Sequence, residues 1–151
     1  MTQPQSSEFR IDPRGARFSA WVTTVVLIAV LVTGSAALLA GQAVVFAIGA
    51  FASPKQHPYG RLYRAFVATR LGPPTEWEHP APLRFAQGIG LVFALIGTIA
   101  YVTGFTTVAV IVTCLTLGAA FLNAAFGVCL GCEIYLRLPL RLRQALDVEI
   151  P

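Results

Sequence analysis

The sequence predicts an all-α membrane protein with four transmembrane helices, arranged as two related hairpins, and an amphipathic helix at the cytoplasmic interface. Composition is the first reason, because 56% of the residues are hydrophobic and only 12% are charged, about half the charged share of a soluble domain. Patterning is the second, because long uncharged runs separate three segments that hold every charged side chain. The length suits one small bundle, so we expect a single integral membrane domain over 1–151.

Residues 1–17 are predicted to form a cytoplasmic arm. They are polar and lack the short apolar core and small-residue cleavage site of a signal peptide, so we expect no cleavage. Residues 1–7 are expected to be disordered. The stretch Asp12-Pro13-Arg14-Gly15 is expected to form a turn, since proline sets φ and glycine relaxes it.

The first apolar run, Phe18–Ala52, is too long for one span. Gly34-Ser35 permits a tight turn and divides the run into helices at 18–33 and 36–52, each about 24–26 Å long. Both are short for a hydrocarbon core of about 30 Å. The alternative is one span over Phe18–Leu39 followed by a re-entrant segment.

An internal echo favours two spans. Arg17-Phe18 is followed by Val32-Thr33-Gly34, and Arg84-Phe85 is followed by Val102-Thr103-Gly104. From arginine to glycine the spacing is 17 residues in the first case and 20 in the second. We therefore predict two related hairpins, the second with helices at 85–102 and 106–135.

The segment 53–83 is predicted to be a cytoplasmic linker at the membrane interface. Within it, Tyr59–Leu71 places Leu62, Tyr63 and Phe66 on one helical face, a pattern typical of an amphipathic helix in the headgroup region. An ordered loop is expected to follow and to lead into the second hairpin. After the last span, residues 137–151 are predicted to form a basic cytoplasmic tail.

The distribution of basic residues predicts the orientation. Three of the eleven precede the first apolar run, five lie in the middle segment and three follow the last run, whereas neither hairpin tip is charged. By the positive-inside rule, the middle segment and both termini are cytoplasmic, in a multi-pass protein of a bacterial inner membrane. The same distribution indicates a lipid bilayer as partner and argues against nucleic acid.

Two cysteines three residues apart, Cys129 and Cys132, are the candidate catalytic residues. At the end of a continuous helix over 106–135 they would emerge at the cytoplasmic face, where a stable disulfide is unusual and a cycling pair fits better. The helix carboxyl terminus and the adjacent Glu133 disfavour a thiolate, whereas Arg137 favours one. The alternative is that both are small residues packed at a helix end.

The cysteine pair is not predicted to form a metal site. Two thiolates do not complete a zinc site, and no further Cys or His pair is evident, so we expect no metal and no cofactor. Cys114 lies 15 residues before Cys129, about 22 Å along a continuous helix. It is therefore expected deep in lipid, where it takes no part.

Five more residues are candidates for binding substrate or supporting the pair. Asn123 and Gln87 are amides within the membrane, where a polar side chain must find a partner; an interhelical hydrogen bond is the competing role. Gly131 eases closure of the disulfide. Glu133 and His79 lie at the level of the cysteines, and His79 is either a proton relay near neutral pH or a solvated loop side chain.

Several stretches spread over nearly the whole chain are characteristic in combination: Asp12-Pro13-Arg14-Gly15, Gln42–Ala47, Pro58-Tyr59-Gly60, Leu71–Pro74, Arg84–Gln87, and Phe121–Gly127 running into Cys129-Leu130-Gly131-Cys132. Together they resemble a family of small, largely actinobacterial, integral membrane proteins of unknown function. Genes of that family often lie near those for thioredoxin-like proteins and sulfurtransferases. The resemblance implies thiol or sulfur chemistry but brings no established activity.

The leading hypothesis is a thiol redox or sulfur-handling protein whose Cys129/Cys132 pair exchanges with a cytoplasmic thioredoxin-like or rhodanese-like partner. As an enzyme it would be a thiol–disulfide oxidoreductase. One alternative is a small transporter of a sulfur species, and another is a structural subunit of a larger membrane complex. A second copy of the chain is a further candidate partner.

Overall fold

The computed structural model describes residues 10–52 and 56–148, which form eight helices. The predicted disorder of residues 1–7 lies outside these ranges. The helices are α1 (Pro13–Thr33), α2 (Ala36–Phe51), α3 (Pro58–Phe66), α4 (Ala68–Leu71), α5 (Pro80–Thr103), α6 (Thr106–Phe126), α7 (Leu130–Arg137) and α8 (Leu140–Val148). Apart from one isolated bridge between Ile11 and Glu78, the described residues contain no β structure. The all-α prediction is confirmed.

Three of the helices are long and apolar enough to cross a membrane: α1, α5 and α6, with 21, 24 and 21 residues. Helix α2 is equally apolar but has only 16 residues. Large apolar side chains such as Val25, Ile99 and Leu115 are more than half exposed along the long helices. Exposed apolar surface of this extent is expected where lipid covers the protein.

The four apolar helices, α1, α2, α5 and α6, form a closed ring in which each helix of the first hairpin packs mainly on a helix of the second. Helix α2 packs most extensively on α5 and α1 on α6, while contact within the first hairpin, between α1 and α2, is smaller. Cross-hairpin neighbours run antiparallel, since Arg17 meets Ala124 while Arg84 meets Phe51. Both hairpin tips therefore lie at one end of the bundle, and all described charged residues lie toward the other.

Close packing inside the ring depends on small residues at the crossing of α2 and α5. A Cβ on Gly90 would lie 2.9 Å from the Phe46 ring, and one on Gly97 would lie 2.7 Å from the Leu39 side chain. Leu39 and Phe46 belong to the buried core. Glycine thus lets the two backbones approach, as is usual between membrane helices.

Arg17 and Arg84, which begin the two similar stretches of sequence, occupy equivalent places in the structure. Arg17 of α1 donates from Nη2 to the Ala124 carbonyl near the end of α6 (3.4 Å), and Arg84 of α5 donates to the Phe51 and Ala52 carbonyls at the end of α2 (3.3 and 3.1 Å). A cation placed there offsets the partial negative charge of a helix carboxyl terminus. Each arginine therefore caps a helix of the other hairpin.

Both hairpin tips are as predicted. Gly34 and Gly104 end α1 and α5 with φ of 64° and 86°, the left-handed conformation that glycine adopts most easily. Ser35 caps α2 by accepting from the Leu38 amide at 3.2 Å. The next helix then begins at once in each case, which matches the predicted starts at 36 and 106.

Several predicted helix limits are wrong. Helix α1 begins at Pro13 and α5 at Pro80, five residues before the predicted starts, so the arm over 1–17 and the linker over 53–83 both end in helix. The predicted basic tail contains α8. The predicted helix over 106–135 ends at Phe126 and a separate helix follows it.

The predicted amphipathic helix forms, but part of its apolar face packs on the bundle. It is divided at Val67 into α3 and α4. Tyr63 is only 3% exposed, with its ring 5.8 Å from that of Phe18. Leu62 and Phe66 remain exposed. A second link joins α3 to the ring, because Tyr59 Oη donates to the buried Gln42 side chain at 2.7 Å.

Candidate functional site

The helical conformation is interrupted immediately before the two cysteines. Gly127 ends α6 with φ of 69°, and its amide donates to the Asn123 carbonyl at 3.0 Å. Cys129 is extended and caps the amino terminus of α7, with Sγ accepting from the Cys132 amide at 3.2 Å. The two side chains form a disulfide, with the Cα atoms 5.1 Å apart. The pair therefore sits at the start of a helix.

This placement reverses the predicted electrostatics. The sequence interpretation put the pair near a helix carboxyl terminus, where partial negative charge opposes a thiolate. At the amino terminus of α7 the aligned amides carry partial positive charge, which favours a thiolate instead. Glu133 lies in the first turn of α7 and Arg137 in the last, both stabilising for that helix.

Helix α7 is held against α5 by close packing at Gly131. A Cβ there would lie 2.6 Å from both Cα and Cβ of Ala86. Farther along, the Tyr135 and Phe85 rings are 5.7 Å apart. Gly131 has no positive φ, so its role is close approach to α5 and not the backbone freedom that was predicted to ease disulfide closure.

The Arg17 guanidinium group lies beside the turn between α6 and α7. Besides its bond to Ala124, Arg17 Nη2 contacts the Ala125 carbonyl at 3.5 Å. A Cβ on Gly127 would lie 3.9 Å from Arg17 Nε. The guanidinium group thus adds a full positive charge within the turn that leads to Cys129.

A cavity of about 310 Å³, which we term the disulfide cavity, opens beside the pair between α1, α5, α6 and α7. Cys129 and Gly131 form part of its wall, together with Asn123 and Gln87. Four of the seven sequence candidates therefore meet at one site. Its remaining walls are mostly apolar, with hydroxyl groups from Ser19, Thr23 and Thr116.

A second cavity of about 300 Å³, the His57 cavity, lies between α1, α3 and α5 at the charged end. The two cavities share a wall that includes Ser19, Leu83 and Gln87. The Oε1 atom of Gln87 is buried without a hydrogen-bond partner among the described residues. An amide between two cavities can therefore bind a polar group in either one.

Three other residues singled out in the sequence lie apart from the disulfide cavity. Glu133 is exposed on α7. His79 caps α5 by accepting from the Ala81 amide at 3.2 Å and is also exposed. Cys114 is a free, exposed thiol on α6. Because α6 ends before Cys129, the predicted distance along a continuous helix no longer applies.

The His57 cavity contains a polar cluster that the sequence analysis did not assemble. Asp12 caps α1 by accepting from the Arg14 amide at 2.9 Å, and Tyr63 Oη donates to its carboxylate at 3.1 Å. Burial acts to raise the pKa of Asp12, but the bonds from Arg14 and Tyr63 outweigh it and lower that pKa.

His57 is the other titratable member of this cluster. Its Nδ1 accepts from the Gly60 amide at 3.3 Å and so caps α3. Burial, and secondarily the charge of Arg64, lower its pKa. Aspartate or histidine before proline opens α1, α3 and α5 alike, and this N-cap pattern was the available signal.

Within the two described ranges, no group of three or more His, Cys, Asp or Glu side chains could hold a metal ion. The groups in and beside the disulfide cavity include two sulfur atoms, a helix amino terminus, the Arg17 cation and the amides of Gln87 and Asn123.

A family model described as a domain of unknown function, DUF4395, matches residues 11–139. The match begins just before α1 and ends just after α7, so it includes both cavities and the disulfide. No curated protein and no solved structure matches the chain.

Proposed function

Because the chain belongs to the DUF4395 family, whose description assigns no activity, we propose from the site itself that Cys129 and Cys132 carry out thiol–disulfide exchange at a membrane surface. The partner is a cytoplasmic thioredoxin-like or rhodanese-like protein. The observation that carries the proposal is a disulfide at a helix amino terminus in the wall of a cavity.

The exchange needs no reactant besides the partner's thiols and the Cys129–Cys132 disulfide. A thiolate of a thioredoxin-like partner, which has two thiols, attacks one sulfur of the Cys129–Cys132 disulfide, and a mixed disulfide forms as the other cysteine leaves as a thiolate. The second partner thiol then displaces the first cysteine. Two electrons pass from the partner to the pair, the partner becomes a disulfide, and the cysteines take up protons according to pH.

Local electrostatics supports this use of the pair. The positive end of α7 and the Arg17 guanidinium both stabilise the thiolate released during exchange. A free thiol caps a helix weakly, so the reduced state relies on the packing of Gly131 on Ala86 to keep α7 in place. The site can thus change redox state while its scaffold stays fixed.

We also propose the membrane arrangement that this chemistry requires. Helix α2, about 24 Å long, crosses the bilayer together with the three longer helices, and the charged end faces the cytoplasm by the positive-inside rule. The exposed Leu62 and Phe66 of α3 then lie against the headgroup region. The disulfide, at the same end, is accessible to a cytoplasmic partner.

The test uses the purified full chain in detergent with thioredoxin, thioredoxin reductase and NADPH. In a Cys114→Ser background we expect thioredoxin to reduce the pair, followed as NADPH consumption and as two newly alkylated thiols. Cys129→Ser and Cys132→Ser each leave one thiol. When that thiol is first converted to a mixed disulfide with 5-thio-2-nitrobenzoate, thioredoxin whose resolving cysteine is replaced should displace the thionitrobenzoate and form a stable mixed disulfide with the variant. Serine at 129 preserves the N-cap, so that variant should fold.

The alternatives give different outcomes. A structural disulfide would resist thioredoxin while yielding to dithiothreitol after unfolding, and the proposal would then be wrong. A transporter would retain uptake of a sulfur species in the Cys129→Ser/Cys132→Ser double variant reconstituted in vesicles. A purely structural subunit would tolerate the double replacement in cells that require the protein.

A further inference from the structure

The His57 cavity lies at the charged end of the bundle, mainly between α1, α3, α5 and the loop before α5, and neither cysteine of the disulfide lines it. Its lining combines apolar side chains, among them Trp77, Pro80 and Leu83, with a small set of charged and polar groups. A mostly apolar cavity of about 300 Å³ with a few convergent polar atoms is the usual form of a small-molecule site.

His57 offers a hydrogen-bond donor that the protein leaves unused. The residue is only 9% exposed, and Nδ1 accepts from the Gly60 amide. A neutral imidazole that accepts at Nδ1 carries its proton on Nε2. No described residue accepts from Nε2. A buried donor without an acceptor is costly, so a bound group that accepts from Nε2 would remove this cost.

Arg84 adds a second unused donor on the same cavity. Its Nη2 is occupied with the carbonyls at the end of α2, but Nε is buried and has no acceptor among the described residues. Gln87, one turn farther along α5, has an unpartnered Oε1 as well. Two N–H donors and one amide thus belong to residues of α5 and the N-cap of α3 that line the same cavity.

The charge of the cavity selects the sign of its ligand. The Arg84 guanidinium group lines it and keeps an Nε without an acceptor among the described residues. The one carboxylate among the lining residues, Asp12, already accepts from Arg14 and Tyr63. A negatively charged group that accepts hydrogen bonds therefore fits this cavity, and the apolar walls favour an apolar body beside it.

We propose that the His57 cavity binds a small amphiphilic anion, with a carboxylate or phosphate group held by His57 Nε2 and Arg84 Nε and an apolar body packed along Trp77 and Leu83. The ligand comes either from the membrane, as an anionic lipid, or from solution, as an organic acid or phosphate ester. This site does not depend on the redox proposal and survives if the cysteines prove inert.

The chain provides its own reporter for binding. It has two tryptophans, of which only Trp77 lines the cavity, so Trp21→Phe leaves a single emission at the site. Purified Trp21→Phe protein in detergent is titrated with octanoate, and we expect a saturable change of Trp77 emission. Octanamide, equal in size but neutral, is the control for partition into micelles and should produce no saturable change.

Two capping histidines provide a matched pair of variants. His57→Asn retains a good N-cap for α3 but loses the Nε2 donor, and should weaken octanoate binding about tenfold, the scale of one hydrogen bond to a charged group. His79→Asn makes the same change at the exposed cap of α5 and should leave binding unchanged. Arg84→Lys retains charge but loses Nε, and should also weaken binding.

The source of the natural ligand is separated by a second arm in nanodiscs. If phosphatidylglycerol competes with octanoate while phosphatidylcholine does not, the ligand is a lipid headgroup. If neither lipid competes, the ligand is a soluble anion. The proposal is overturned if octanoate gives no saturable signal, if octanamide binds equally well, or if both His57→Asn and Arg84→Lys bind as the parent does.

Discussion

At the scale of single residues, the contact of Gly131 with Ala86 sets the position of the cysteines. Any side chain at 131 would place its Cβ 2.6 Å from backbone of α5, closer than carbon atoms approach. Gly131→Ala should therefore push α7 away from α5 and cost about 1–3 kcal/mol of unfolding free energy, the usual range for overpacking. Thermal unfolding in detergent, with and without reductant, measures the loss.

Gly88→Ala is the matched control for that change. It lies on the same helix as Ala86, and a Cβ there would meet nothing within 4 Å. Alanine is also the better helix former, so the control should be neutral or stabilising. Equal midpoints for the two variants would show that α7 is not held by this contact.

His57 makes stability depend on pH in a defined direction. Its pKa is lower in the folded protein than the ordinary value, so the unfolded chain binds the proton first as pH falls. Stability should therefore be full above about pH 6.5, decline below it, and level off under the folded pKa. We expect the unfolding temperature to fall between pH 8 and pH 5.5.

The His57→Asn variant should show a smaller decline over the same interval, because it removes the buried group that must be protonated. Asp12 is not the cause, since, despite burial, the bonds from Arg14 and Tyr63 lower its pKa from the ordinary aspartate value, away from this window. A parent-like decline in His57→Asn would mean that other groups control the acid sensitivity.

At the scale of helices, glycine explains both a success and an error of sequence reasoning. Gly34 and Gly104 were correctly predicted to turn the chain, because the residues that follow start a new apolar run. Gly127 was missed although it ends α6 by the same left-handed conformation. Its surroundings are as apolar as those of Gly118, which lies inside α6, so composition alone does not distinguish a helix end from a helix interior.

Helix starts were placed too late for a different reason. Asp12-Pro13 was interpreted as a turn, and the prolines near His79 as a loop. Proline is also favoured in the first turn of a helix, where its missing amide hydrogen costs nothing. The signal for a helix start is an N-capping side chain directly followed by proline, so the two residues must be considered together.

Four of the seven candidate residues were predictable as neighbours, and the shape of the site was not. Cys129, Asn123, Gln87 and Gly131 were all identified from residue type and position, and they meet at one cavity. The reversed polarity at the cysteines follows from the Gly127 break. The His57 cavity depends on contacts between residues over 40 positions apart, such as Asp12 and Tyr63, which no local pattern contains.

At the scale of the whole molecule, the separation of charge from the hairpin tips leads to a topology prediction. Reporter fusions after Gly34 and after Gly104 should both give periplasmic signals, while a fusion after residue 54 and one at the carboxyl terminus should give cytoplasmic signals. The physical reason is that arginines near the four helix ends at the charged end resist translocation.

The fusion after residue 54 also decides whether α2 crosses the membrane. If α2 were re-entrant after a single span over Phe18–Leu39, the chain would return to the periplasmic side and this fusion would report there. Such a signal would contradict the four-span arrangement, and the cytoplasmic location of the disulfide would need separate evidence.

The interlocking of the hairpins has a consequence for biosynthesis. Helix α2 finds its principal partner only when α5 enters the membrane, and α1 finds its own only when α6 follows. Since synthesis runs from the amino terminus, the proposed four-span arrangement leaves the first hairpin in the bilayer with its inner face unpaired until then. In that arrangement, assembly proceeds from the middle of the chain outward, and the segment with the two cysteines docks on α5 among the last steps.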